Sequence, residues 1–146
     1  MRLTQHTDYS LRVLLYLALV PEQLATIQQI SEAYGISRNH LMKVVHKLVK
    51  TGFVESVRGQ GGGIRLNKAP QDIGIGKVIR AMEPDIALVE CLRPDNTCVI
   101  TPACKLPPIL NKALAAFFRE LDRYTLKDLL PASARNELAT LLNIRN

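Results

Sequence analysis

Apolar residues recur at helical spacing over residues 7–20, where Leu11, Leu14, Leu15 and Ala18 share a face. Thr7 is placed to cap this helix, Asp8 falls in its positively polarised first turn, and Pro21 ends it. Thr26 with Gln29 three residues on makes a capping box that opens a second helix, to about Tyr34. A short turn with Gly35 leads to Ser37, which caps a third helix running to Lys50, and Gly52 supplies a left-handed stop. In the third helix Leu41, Val44, Val45, Leu48 and Val49 follow the i, i+3, i+4, i+7, i+8 pattern of a core face. Arg38, Asn39, His40, Lys43, His46, Lys47 and Lys50 fall outside it. Two helices joined by a glycine turn, the second apolar inside and basic outside, predict a helix-turn-helix.

Period two replaces period 3.6 at residues 53–58. A glycine-rich tip at 59–63 and Ile64-Arg65-Leu66 complete a hairpin flanked by Arg58 and Arg65, which next to a helix-turn-helix reads as a wing. A phosphate-binding glycine loop is the weaker reading, because no Lys-Ser/Thr follows and no helix opens at Gly63. Gly61 and Gly62 instead permit close approach to a backbone.

A polar connector at 67–74 leads to a short amphipathic helix at 75–82, closed by Glu83-Pro84. Residues 84–105 have no helical period. A long helix opens at Leu106 with Pro107 and Pro108 tolerated in its first turn. Its stripe of Leu110, Ala113, Leu114, Phe117, Leu121 and Tyr124, widened by Ile109 and Phe118, is too broad for one small neighbour. It predicts a dimer helix buried against a twin, with an ordinary core helix as the alternative. A short helix opens at Thr125 and ends at Pro131, and the tail from Ser133 is weakly amphipathic and expected to fray.

Composition narrows the class. At 146 residues, 47% hydrophobic and 22% charged, the chain has the material for one folded domain with an appendage. Its longest apolar run has eight residues (13–20), too short for a bilayer, and no cleavage site follows it, so a cytoplasmic protein is expected. The net charge of +6 is local. Within 36–68 lie Arg38, Lys43, Lys47, Lys50, Arg58, Arg65 and Lys68 against the single acid Glu55, so this window carries the whole excess. Such a field suits a polyanion bound with strong salt dependence, with a solvated charged face as the alternative, and beside a helix-turn-helix the polyanion expected is double-stranded DNA. The base- or phosphate-reading set is Arg38, Asn39 and His40, flanked by Lys43 and Lys47, with Arg58, Gly61, Gly62 and Arg65 on the wing.

All three cysteines, Cys91, Cys98 and Cys104, lie within 14 residues in the irregular segment. Structural zinc favours a tight pair and four ligands, and thiol catalysis needs a nearby histidine, whereas His6, His40 and His46 are distant in sequence. An iron–sulfur cluster accepts looser spacing and takes thiolates by preference. Spacing alone ranks a cluster first, a disulfide or redox thiol pair second and zinc third.

A family resemblance is carried by Leu3-Thr4 with Thr7-Asp8-Tyr9-Ser10-Leu11-Arg12, by Gly35-Ile36-Ser37-Arg38-Asn39-His40-Leu41, by Val57-Arg58-Gly59-x-Gly61-Gly62-Gly63-Ile64-Arg65-Leu66, and by the cysteine triplet with Ile100-Thr101-Pro102-Ala103-Cys104. The chain resembles the BadM/Rrf-type winged-helix regulators over roughly residues 1–130, and among them the nitric-oxide-sensitive repressors. The resemblance implies a homodimer with two DNA-binding heads and crossed long helices. It implies an iron–sulfur cluster on Cys91, Cys98 and Cys104, completed by Asp8 of the partner subunit, with nitric oxide as signal. From the residues alone, Asp8 reads as a first-turn acid satisfying helix amides. Both roles compete for the same oxygens. Family members that regulate cluster biogenesis carry a histidine three residues after the third cysteine. Here that residue is Pro107, which has no ligand atom.

The expected fold is mainly α with a small β wing: a winged helix-turn-helix head at 1–70, a short helix and cluster-binding loop at 71–105, and a dimerisation helix with a tail at 106–146. The expected function is non-enzymatic: a nitric-oxide-sensing repressor of palindromic operators. One ligand per iron favours 4Fe–4S over 2Fe–2S. The alternative is an iron–sulfur-status or thiol-redox regulator of the same family.

Overall fold

Thr4, rather than Thr7, caps the first helix in the computed structural model, which describes residues 2–144. The Thr4 hydroxyl accepts from the Thr7 amide at 3.3 Å, and its own amide donates to Glu83 Oε1 at 2.8 Å. Helix α1 therefore spans Gln5–Leu19. Thr7 lies inside it, fully buried against the Thr4 hydroxyl at 3.2 Å. The sequence pattern hides this start because His6 and Thr7 are polar yet face inward.

Helix α2 (Ile27–Tyr34) has the predicted capping box: Thr26 accepts from the Gln29 amide at 3.1 Å, and Gln29 Oε1 accepts from the Thr26 amide at 2.8 Å. An eight-residue helix is marginal without its cap. Thr26→Ala is expected to destabilise the fold by about 1 kcal/mol, read as a lower urea midpoint at unchanged slope. Gly35 then turns the chain with φ +64°, and Ser37 caps helix α3 (Arg38–Lys50).

The hairpin pairs β1 (Val54–Val57) with β2 (Gly63–Leu66), Glu55 standing opposite Arg65. A bridge between Ala25 and Ile64 ties β2 to the segment before α2. The wing is thereby fixed to the helix-turn-helix, which the sequence pattern did not reveal.

Helix α4 (Ile75–Met82) follows the connector as expected, and α5 (Leu106–Leu121) opens at its two prolines. The far end of α5 is bolted to the start of α4: the Ile75 amide donates to the Tyr124 carbonyl at 2.9 Å and the Leu126 amide to the Ile73 carbonyl at 2.8 Å. Arg80 on α4 grips Asp122 with two bonds of 2.7 Å and lies 4.2 Å over the Phe118 ring. That grip holds the Asp122 carboxyl below its ordinary range. Gly76 leaves the room for it, since a Cβ there would lie 2.0 Å from Asp122 Oδ1.

One core runs through the head. It joins Val13, Leu14 and Leu17 of α1, Ile30 of α2, Leu41, Val44 and Leu48 of α3, and Val54 and Ile64 of the wing. Ile73, Val78, Met82, Leu126 and Leu142 enter the same core from beyond residue 70. Residues 132–144 thus do not fray as expected. They form α6 (Ala132–Leu141), with Leu142 buried and Arg135 donating to the Ala18 carbonyl at 3.2 Å. The expected stripe of α5 divides in two. Leu114, Phe117 and Leu121 pack around Ile75, Ile79 and Phe118, whereas Ile109 (61% exposed) and Ala113 face outward with Leu106 and Ala116. Tyr124 lies past the helix end, exposed. No helix among the described residues is long and apolar enough to cross a membrane.

Candidate functional site

The buried stripe of α3 determines what the helix offers outward. Leu41, Val44, Val45 and Leu48 are buried as predicted, but Val49 is 37% exposed. It sits at the edge of the apolar arc, where the helix leaves its neighbours. Arg38, Asn39, His40, Lys43, His46 and Lys50 are exposed. Ser37 accepts from the His40 amide at 3.2 Å, and the His40 ring meets the edge of Tyr9 at 5.7 Å.

Lys47 departs from the expected set. Its ammonium donates to the Met82 carbonyl at 2.7 Å, at the C-terminal end of α4 where the helix dipole is negative. It caps α4 instead of standing free beside α3. Next to it His6 is half-buried, its Nε2 the one buried side-chain polar atom lacking a partner among the described residues. Burial, then the charges of Lys47 and His40, lower its pKa. Sequence reading missed this junction because its groups come from three separate helices.

On the wing, Arg58 is exposed and Arg65 pairs with Glu55 across the strands. The tip glycines serve the hairpin itself. Gly59 and Gly61 have φ of +101° and +74°. A Cβ on Gly62 would lie 2.3 Å from the Val57 carbonyl oxygen, a backbone atom with no room to yield. Close approach to a backbone is thus found at Gly62, and the backbone is the chain's own.

The two arginines therefore should not behave alike on DNA. Arg58→Ala is expected to lower the salt dependence of duplex binding by about one unit in the log–log slope. Arg65→Ala should lower it less, because Glu55 already offsets that charge. Fluorescence anisotropy across a salt series reads both. Equal slopes for the two variants would show that Glu55 leaves Arg65 when DNA binds.

Asp8 lies half-exposed on α1. It satisfies no helix amide. Its carboxylate holds Arg12 with bonds of 2.8 and 3.2 Å, one turn along. With the helix starting at Gln5, Asp8 stands at its fourth position, where its own amide already donates to the Thr4 carbonyl, and the i,i+4 pair with Arg12 takes its carboxylate instead. The Arg12 guanidinium lies 5.7 Å from the Tyr9 ring centre and 5.9 Å from that of Tyr34. Burial pushes the Tyr34 hydroxyl up to about 12, and that hydroxyl donates to the Arg12 carbonyl at 3.1 Å. Asp8 is thus linked through Arg12 and Tyr9 to His40 at the start of α3.

The cysteine segment is irregular, with one 3-10 turn at Glu90–Leu92 that carries Cys91. All three thiols are free, Cys98 exposed and Cys91 and Cys104 half-buried. Glu90 accepts from the Thr97 amide and hydroxyl at 3.1 and 2.7 Å, which lowers its pKa. Asn96 Oδ1 accepts from the Cys98 amide at 2.9 Å, and the Leu106 amide points at Cys104 Sγ at 3.4 Å. The donor chemistry fits a thiophilic metal group: three unpaired thiols on one loop, with no competing disulfide. The loop as folded does not gather them, however. Among the described residues no three His, Cys, Asp or Glu side chains stand close enough to hold one ion. Local turns and side-chain bonds shape the loop, and nothing within one chain draws three thiols to one point.

Relatives are plentiful. Residues 3–132 match the Rrf2 family, described as iron-dependent transcriptional regulators. The HTH-type transcriptional regulator NsrR of Bacillus subtilis is 54% identical over 132 residues, covering 89% of this chain and 90% of that protein. The NsrR of Halalkalibacterium halodurans is 48% identical over 147 residues, covering 99% of both. The solved structure of T. potens IscR superposes with a TM-score of 0.69 at 27% identity, covering 89% of this chain and 86% of that one. The winged helix-turn-helix head, the exposed basic face of α3 and these matches lead to one conclusion: the chain belongs to the Rrf2 family of transcriptional regulators and is a DNA-binding regulator, not an enzyme.

Proposed function

We propose that this chain is an NsrR-type repressor, a homodimer on palindromic operator DNA whose affinity is set by an iron–sulfur cluster and released by nitric oxide. The observation that carries the reading is the cysteine loop: three free thiols at the head of α5, whose far end is bolted to α4. The cluster's ligands are Cys91, Cys98 and Cys104, with Asp8 of the partner subunit as the fourth. When bound, the cluster supplies iron that reacts with nitric oxide. Four ligands, one per iron, favour 4Fe–4S over 2Fe–2S. The outward apolar face of α5, with Leu106 and Ile109, is the dimer surface.

The chain's own residues then couple loop to DNA. The carboxylate oxygens of Asp8 cannot hold Arg12 and serve as a ligand in the same geometry. A ligand role for Asp8 loosens Arg12 from its pair, and Arg12 lies over Tyr9, whose edge meets His40 at the start of α3. Arg38, Asn39, His40 and Lys43 read bases or phosphates there, and Arg58 and Arg65 add wing affinity.

The test is anaerobic purification followed by absorption spectroscopy, iron and sulfide analysis, and operator titration before and after nitric oxide. A coloured protein that binds tightly and releases with nitric oxide supports the reading. A colourless, iron-free protein with full operator affinity supports the second reading, a thiol-redox regulator, which the exposure of Cys98 favours. Pro107 stands where a cluster-biogenesis regulator would carry a histidine, and it argues against an iron–sulfur-status role.

A further inference from the structure

The exposed face of α3 holds one residue that its charge pattern conceals. Met42 is 49% exposed, in the second turn, four residues after Arg38 and three after Asn39. Lys43 follows it, and His46 lies one turn on, both exposed. An apolar side chain surrounded by hydrogen-bonding groups gains nothing from solvent. The other exposed apolar residue of α3, Val49, sits in the last turn, away from the end that enters a groove. With Lys47 turned to α4, Met42 occupies the middle of the surface that remains.

We propose that Met42 reads the 5-methyl group of a thymine in the operator's major groove. Only thymine presents a methyl there, so an apolar contact distinguishes it from the other three bases. A thioether on an unbranched stem suits the task because it adapts to irregular space. The hydrogen-bonding residues Arg38 and Asn39 fix the register, and Met42 excludes water from the methyl. The inference rests on α3 being the helix that enters the operator.

Operator duplexes are first enriched from a randomised pool with the anaerobically purified full chain. Each thymine is then replaced singly by deoxyuridine, which removes only the methyl. The expected result is one thymine per half-site whose replacement weakens wild-type binding about fourfold, the value of one buried methyl-sized group. Met42→Ala should bind the thymine and uracil duplexes alike, and Met42→Leu should restore the preference. Because Met42 is exposed, both variants should keep the wild-type melting temperature. Discrimination unchanged in Met42→Ala, or no methyl-sensitive thymine for the wild type, overturns the proposal while leaving the repressor reading intact. A chain that enriches no duplex overturns the operator role of α3, and this inference with it.

Discussion

Cys98→Ala is expected to bind operator no more tightly than iron-stripped wild type. Moving a two-state head from almost wholly competent to almost wholly incompetent takes on the order of 5 kcal/mol of differential binding. In the proposed switch three thiolates and one carboxylate supply that difference jointly, so removing the central, exposed thiol leaves that switch with too few ligands. The loss in affinity should be on the order of a hundredfold or more. The fold should survive, because Cys98 is exposed and belongs to no core cluster. Melting temperature provides that control, and operator titration with iron analysis provides the readout. Tight operator binding by an iron-free Cys98→Ala protein would sink the cluster-dependent repressor.

Leu48→Ala should have the largest effect on stability. Leu48 is fully buried on the core face of α3, whereas Met42 is exposed, and the Leu48 carbonyl accepts from the Phe53 amide at 3.0 Å, where the chain turns into β1. Truncation removes three carbons from a packed core and leaves a cavity, a change worth about 3 kcal/mol. For a chain of this size that lowers the melting temperature by about 10 °C. Operator affinity measured well below the melting temperature should change little, because α3 keeps its exposed side chains. Leu48→Ala and Met42→Ala thus separate the two faces of one helix: the first lowers the melting temperature, the second changes base preference. Calorimetry on both variants checks the pair, and equal melting temperatures would contradict the buried position of Leu48.

Most of the head was legible because its rules are local. A hydroxyl followed by Gln29, a serine before Arg38 and a glycine after the second helix each act within one turn. Periodicity assigns five apolar residues of α3 to the core face; four are buried, and Val49 falls outside because a helix pattern gives no arc width. The start of α1 was misread by three residues. Thr7 is a good cap by type, but Glu83, 79 residues from Thr4, fixes the true one. The weak amphipathicity of the tail hid its docking, since Leu142 and Arg135 gain their partners only from α1 and the core around it.

The site divides in the same way. The basic window and the three clustered thiols are facts of composition along the chain, and they alone pointed to a DNA-binding protein with thiophilic chemistry. Which charges are free is a different kind of fact. Lys47 is taken by the Met82 carbonyl, Arg65 by Glu55, and Arg12 by Asp8. Charge counting treats these cations as equal. Tertiary folding ranks them, because an ion pair or a helix end within 3 Å outweighs a distant field. The helix-turn-helix, the wing and the cysteine loop follow from residue order, since caps, periods and residue chemistry act over a few positions. Contacts between distant segments place the tail on the head and link Asp8, through Arg12 and Tyr9, to His40 at the start of α3. Each of these depends on contacts between segments that no local pattern encodes.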